Sequence, residues 1–173
     1  VLVHDGEEAQ LAASKGVNAG TLSIDRPGRY HIAPSVAGER VVLSDDYDIH
    51  IVPDEKPTIQ IEKPGRDWRA TNIEEVAVRV QAADDFRLAN VELRYSVNGG
   101  GWHSVPLDRN VKQTREQTLL ELEQLGAKHA PDPQQPLLSP GDLVSYYAVA
   151  KDHKRAVQTD LFMVQVQPFE RRF

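Results

Sequence analysis

A two-residue alternation of apolar and polar side chains recurs along much of this 173-residue chain. Residues 74–85 place Val76, Val78 and Val80 on one side, and residues 143–152 alternate in the same way. Since successive side chains of a β-strand point to opposite faces, this period predicts strands with one buried face. Turn residues separate the alternating segments, and helical spacing is scarce. The pattern is typical of an all-β protein.

A hairpin is predicted where Asn98-Gly99 separates residues 88–97 from the segment WHSVPL. Both turn residues tolerate positive φ, which a tight β-hairpin turn requires. Trp102 follows the hairpin glycines, and we expect it to pack across Tyr95 in the facing strand.

About seven short strands with turns between them fill residues 58–168, which is the pattern of an immunoglobulin-like or fibronectin-type-III-like β-sandwich. We assign residues 58–173 to one such domain. PDEKP, residues 53–57, has two prolines and three charges, so we interpret it as a stiff linker. Residues 1–52 offer about five strands, too few for a complete sandwich. We expect an immunoglobulin-like domain there that begins before Val1, in tandem with the second.

Two segments between the later strands are less regular. Residues 111–125 fit either an edge strand or, through leucines at a three-residue spacing, a helix. We favour a strand over residues 114–121 with a helical turn at 122–125. Residues 127–136 contain three prolines and no apolar pattern, which predicts a surface loop.

Composition excludes several classes of function. Hydrophobic residues make up 40% of the chain, enough for a packed core. A net charge of −6 without a basic cluster argues against nucleic-acid binding. The chain has no cysteine, and no apolar run is long enough to span a bilayer. Any membrane contact would be made by parts of the protein outside this chain.

Metal sites and catalytic centres find little support in the residue pattern. Calcium prefers six to eight oxygen ligands, and the clustered aspartates could supply some, but aspartate is equally favoured in turns, which is the interpretation we prefer. The six histidines have no spacing typical of zinc ligands. No nucleophile-elbow or phosphate-loop motif is present. We therefore predict no catalytic residue, no metal and no cofactor. The aspartates considered are Asp45, Asp46, Asp48, Asp84, Asp85 and Asp152.

Two aromatic residues are the candidate contacts for a partner. Trp68 follows a turn, so we expect its ring to be exposed, and it could anchor a protein or stack on a sugar. Alternation through residues 143–152 sends Tyr146 and Tyr147 to opposite faces of the sheet. We select Tyr146 as the second contact residue.

Several short motifs together resemble a family of large bacterial proteins of unknown function, in which tandem immunoglobulin-like domains follow N-terminal membrane helices. The resemblance is clearest over residues 53–173. The motifs are Lys63-Pro64-Gly65-Arg66-Asp67, Glu74-Glu75-Val76, Asp84-Asp85-Phe86, Tyr95-Ser96-Val97-Asn98-Gly99-Gly100, Pro140-Gly141-Asp142, Ser145-Tyr146-Tyr147-Ala148 and Pro168-Phe169.

This resemblance implies a periplasmic or otherwise extracytoplasmic module, tethered to the membrane by segments outside this chain. We expect a non-catalytic spacer or protein-interaction module that contacts a protein partner or neighbouring domains of the same chain. Self-association through exposed sheet edges is also compatible with this pattern. The alternative is a carbohydrate-binding module that uses Trp68.

Overall fold

The computed structural model describes residues 1–129 and 137–169. The chain divides into two compact units, Val1–Pro53 and Asp54–Phe173. Apart from one helix, the regular structure of the described residues consists of β-strands, so the all-β prediction is confirmed.

Eight short strands make up the regular structure of the first unit. β2, β1, β5 and β8 form an antiparallel sheet in that order, while β3 pairs with β4 and β6 with β7. That this unit belongs to an immunoglobulin-like domain beginning before Val1 stays a prediction. The strands are β1 (Leu2–His4), β2 (Glu7–Ala9), β3 (Ala12–Ser14), β4 (Val17–Ala19), β5 (Gly28–Ile32), β6 (Ser35–Val36), β7 (Glu39–Arg40) and β8 (Tyr47–Ile49).

The segment after β7 contains less strand than its alternation predicts. Within residues 41–52, only Tyr47–Ile49 pairs as a strand. Ser44 explains part of this difference, because its hydroxyl accepts a hydrogen bond from the backbone N–H of Ile32 at 2.8 Å. This N–H is then not available to pair with the backbone of residues 41–46 as in a β-sheet. Leu43 lies just before it with 71% of its surface exposed.

Three tight hairpins of the first unit share one turn geometry. The turns at Asp5-Gly6, Lys15-Gly16 and Ala37-Gly38 each have positive φ at both central residues. Such paired left-handed residues match the twist of the flanking strands. Aspartate and glycine tolerate this conformation, whereas alanine does so at a cost. Ala37, with φ of 53°, and Lys15, with φ of 48°, are therefore the least favourable of these turn residues.

Replacing Ala37 by asparagine should stabilise the β6–β7 hairpin by about 0.5–1 kcal/mol, because asparagine adopts positive φ more readily. Ala37 is exposed, so the change disturbs no packing. Amide hydrogen exchange in β6 and β7 measures the effect. Ala37→Val is the matched control and should loosen the same amides, since a β-branched residue is disfavoured at positive φ.

The second unit contains nine strands and one helix within its described residues. The elements are β9 (Thr58–Lys63), β10 (Trp68–Thr71), β11 (Glu75–Leu88), β12 (Asn90–Val97), β13 (His103–Asp108), β14 (Val111–Glu121), α1 (Leu122–His129), β15 (Leu143–Lys151), β16 (Ala156–Gln158) and β17 (Phe162–Gln167).

These strands form the two sheets of an immunoglobulin-like β-sandwich, as predicted. One sheet has the order β14-β11-β9, and the other has the order β10-β17-β15-β12-β13, with β16 paired to β15. The core contains alternate residues of both sheets, as in packed β-sandwiches. Val78 and Val80 from the smaller sheet and Leu93, Tyr146 and Val164 from the larger one are all 0% exposed.

Residues 111–125, which fit either a strand or a helix from their sequence, form a strand followed by the start of a helix. β14 includes the expected residues 114–121, and α1 then extends well beyond the helical turn predicted at 122–125. Burial explains the helix, since Leu122 and Leu125 are at most 6% exposed. The predicted loop at 127–136 is wrong for its first three residues, which belong to α1, and its remainder lies outside the described residues.

Candidate interaction surface

An aromatic pair, with one ring exposed and the other half-buried, lies on the outer face of the larger sheet. Tyr147 is on β15, and Trp102 lies immediately before β13. Their ring centroids are 4.9 Å apart with an interplanar angle of 74°, which is a favourable edge-to-face contact. Trp102 is 49% exposed, so much of its ring is available to a partner.

An ion pair and a hydroxyl surround this aromatic pair. Arg94 Nε donates to Glu92 Oε1 at 2.7 Å, and Ser104 Oγ donates to Glu92 Oε2 at 2.7 Å. Register places Arg94 directly between Tyr147 and Ser104 on the neighbouring strands. We call Trp102, Tyr147, Arg94, Glu92 and Ser104 the Trp102 cluster.

Charge in the Trp102 cluster is held in place by hydrogen bonds. Burial acts to raise the pKa of Glu92, but the bonds from Ser104 and Arg94 and the charge of Arg94 outweigh it, so this pKa is lowered. The pKa of Arg94 is raised, chiefly by its hydrogen bond with Tyr147 and then by the one with Glu92. The cluster therefore presents a fixed, charge-balanced polar group beside an exposed indole.

The indole of Trp102 does not pack across Tyr95 as predicted. A two-residue Asn98-Gly99 loop would place Trp102 opposite Tyr95, but the strand register pairs Tyr95 with His103 instead. One extra loop residue produces this shift, and a shift of one residue reverses the face of each side chain that follows. Trp102 is thus directed outward, and His103 takes the position opposite Tyr95 that was expected for Trp102.

Trp68 is exposed, as the sequence predicted, with 39% of its surface accessible. The Arg66 guanidinium lies 5.4 Å from its ring centroid, a cation–π contact. The indole separates two shallow grooves of about 470 and 490 Å³. The first is bordered by Leu143 and Met163 and the second by Pro64, Val76 and Ala77.

The selection of Tyr146 as a contact residue is wrong. Tyr146 is 0% exposed and packs near Phe162, with ring centroids 5.9 Å apart. The alternation along β15 sends Val144, Tyr146 and Ala148 into the core, so the tyrosine that faces outward is Tyr147. Alternation predicted opposite faces for the two tyrosines correctly, but residue type alone did not show which was buried.

Four of the aspartates considered for calcium accept nearby backbone N–H groups or contact a neighbouring histidine or arginine side chain. Asp84 accepts the N–H groups of Phe86 and Arg87, and Asp152 accepts those of Lys154 and Arg155. In the first unit, Asp46 and Asp48 contact His31 and Arg29, respectively. Within residues 1–129 and 137–169, no three histidine or acidic side chains form a group that could hold a metal ion.

No helix in the described part of the chain has the length and apolar character needed to cross a membrane. No protein-family model matches the sequence, and no curated protein matches it either.

Several solved structures are similar to the chain at low identity. BhCBM56, solved as a Br derivative, is 16% identical, with 67% of this chain and 96% of that chain covered and a TM-score of 0.31. A family 56 carbohydrate-binding module, described as a β-1,3-glucan binding domain, is 14% identical, with 63% and 98% covered and a TM-score of 0.30. The fibronectin(III)-like modules of Clostridium thermocellum CbhA are 11% identical, with 99% and 81% covered and a TM-score of 0.39.

Since these TM-scores lie below 0.5, the similarities assign neither a ligand nor a partner to this chain. The structure itself defines the class: an all-β chain whose second unit is an immunoglobulin-like sandwich.

Proposed function

We propose that this chain is a protein-interaction module whose second unit binds a protein partner through the Trp102 cluster. The observation that carries the proposal is the exposed indole of Trp102, held edge-to-face by Tyr147 beside the Glu92–Arg94 ion pair. Tryptophan, tyrosine and arginine are the residues most enriched at binding hot spots. Here Tyr147 and Arg94 lie on strands of the larger sheet and Trp102 packs against Tyr147, which reduces the entropy lost on binding.

Geometry favours a protein surface over an extended polysaccharide. A flat aromatic platform presents its ring faces to a sugar chain in a common plane, whereas the rings of Trp102 and Tyr147 are inclined by 74°. Arg66 lies over the ring of Trp68 and competes with a sugar for that face. An edge-to-face pair beside a charge-balanced polar group instead suits a partner with apolar side chains and backbone hydrogen-bonding groups.

The cellular setting of the proposal follows from the sequence resemblance. We place the module in an extracytoplasmic protein tethered to the membrane by segments outside this chain, where it spaces and connects other domains. The absence of cysteine is compatible with this setting. In the first unit, Val41, Val42 and Leu43 are 46–71% exposed, and we propose this apolar run as a contact for neighbouring domains of the same protein.

Trp102→Ala should weaken partner binding at least about tenfold, because truncating a central indole removes the largest contact of the surface. The measurement is quantitative capture of partners by the full-length protein from an envelope fraction. Phe86→Ala is the matched control, since Phe86 is also an exposed aromatic residue, at 50%, but lies outside the Trp102 cluster. Its capture should equal that of the unchanged protein.

Equal capture by the Trp102→Ala and Phe86→Ala variants would contradict the assignment of this surface. Retention of the partner by Trp102→Ala with loss in Trp68→Ala would move the site to the grooves beside Trp68.

A carbohydrate-binding module is the second candidate, and the exposure of Trp68 between two grooves is the observation in its favour. A glycan array separates the two functions. Binding of a defined glycan that is lost in Trp68→Ala and kept in Trp102→Ala would favour carbohydrate binding, whereas an array without binding would favour the protein partner.

A further inference from the structure

Two histidines that are far apart in the sequence lie together at one edge of the sandwich. His103 begins β13 and His129 ends α1, yet their ring centroids are 4.2 Å apart. Tyr95 on β12 contacts both, with ring centroids 5.3 Å from His103 and 5.9 Å from His129. The hairpin register that directs Trp102 outward is what brings His103 to this position.

The separation of the two imidazoles is close to that of a pair of metal ligands. Zinc–nitrogen bonds of 2.0–2.1 Å in tetrahedral geometry hold two imidazole centroids about 5 Å apart. The observed 4.2 Å is within about 1 Å of this distance, so binding requires a small separation of the rings and a rotation that directs one nitrogen of each toward the ion. His103 is exposed, so its side chain has room to make this adjustment.

The orientation of His129 also suits a ligand. The Tyr95 hydroxyl lies 3.5 Å from His129 Nε2. An oxygen at the second ring nitrogen is the usual way that a metal-binding histidine is oriented.

We propose that His103 and His129 form a binding site for a divalent transition-metal ion of the Zn²⁺ or Ni²⁺ class, with Tyr95 as a positioning residue. Imidazole is a preferred ligand of these ions. Two protein ligands leave the other coordination positions to water, so the site exchanges its ion readily. Bound metal would connect the end of α1 to the start of β13 and would thereby attach this helix to the larger sheet.

Calorimetric titration of Zn²⁺ and Ni²⁺ into the 173-residue chain, prepared without a histidine tag, tests the site. We expect one ion per chain with a dissociation constant below about 100 µM. His103→Gln and His129→Gln should each weaken binding at least about tenfold. His153→Gln is the matched control, because His153 is an exposed turn histidine outside this cluster, and it should leave binding unchanged.

Side-chain NMR of the imidazole nitrogens gives a second measurement. Zinc should shift the ring resonances of His103 and His129 and leave those of His153 in place. Loss of folding in His129→Gln would not obscure the result, because His103→Gln alters an exposed side chain and supplies the same comparison. Absence of binding below about 100 µM, or equal binding in His103→Gln and the unchanged chain, overturns the proposal.

Discussion

Replacing Tyr146 by alanine is expected to lower the free energy of unfolding of the second unit by about 3–5 kcal/mol. The side chain is 0% exposed, and its truncation would leave a large cavity beside Phe162. Urea unfolding followed by tryptophan fluorescence measures the effect in this unit alone, because both tryptophans of the chain lie in it. Tyr147→Ala is the matched control and should cost much less, since Tyr147 faces outward.

Tyr146→Phe should have the opposite effect from truncation. The Tyr146 hydroxyl is buried and has no hydrogen-bond partner in the described part of the chain. A buried polar group without a partner is destabilising, so its removal should leave stability unchanged or raise it by up to about 1 kcal/mol. A loss above about 1 kcal/mol would show that the hydroxyl makes a hydrogen bond in the native protein.

The Tyr146→Phe variant also tests how the Tyr146 hydroxyl affects stability at alkaline pH. Burial, and then the charge of Asp67, raise the pKa of Tyr146 far above its ordinary value. Above about pH 10, an unfolded chain releases this proton while the folded chain keeps it. The stability that depends on the protonated Tyr146 hydroxyl is thus fully present below about pH 10. As the pH rises above this value, the free energy of unfolding falls by up to about 1.4 kcal/mol per pH unit. Tyr146→Phe should remove this part of the slope in urea titrations between pH 8 and pH 11.

Strand positions in the second unit could be predicted because one physical signal dominates them. β11 and β15 alternate buried and exposed side chains over most of their length, and the apolar period of their sequences reports that burial directly. The first unit has strands of two to five residues, which are too short for a period to emerge. Its hairpins depend on turn geometry, and the turns that join the extra strand pairs begin with Lys15 and Ala37, which are not residues typical of positive φ.

The sequence predicted the hairpin that carries the Trp102 cluster but not the cluster as a contact surface, because that surface depends on a single residue of register. Asn98-Gly99 correctly indicated the hairpin, but a glycine-rich loop permits more than one pairing of the strands that follow. The pairing of Tyr95 with His103 decides both that Trp102 faces outward and that His103 meets His129. Alternation along each strand fixes which side chains share a face, whereas the register between strands decides what each face meets.

Leu122→Ala is expected to lower the free energy of unfolding of the second unit by about 2–5 kcal/mol. Leu122 is the first residue of α1 and is 0% exposed, while its N–H donates to the Glu74 carbonyl at 3.2 Å. Alanine keeps this backbone bond and has a slightly higher helix propensity than leucine. The loss would therefore measure burial of the side chain, not weakening of the helix.

Leu119→Ala is the matched control for this prediction. Leu119 lies three residues earlier, fits the same helical spacing and is 45% exposed on β14. Its truncation should cost about 1 kcal/mol or less, because nearly half of the side chain is already in contact with water. If β14 instead continued as a helix, Leu119 and Leu122 would share one buried face and the two truncations would cost similar amounts. The ratio of the two losses, followed by tryptophan fluorescence in urea, therefore tests where the strand ends and the helix begins.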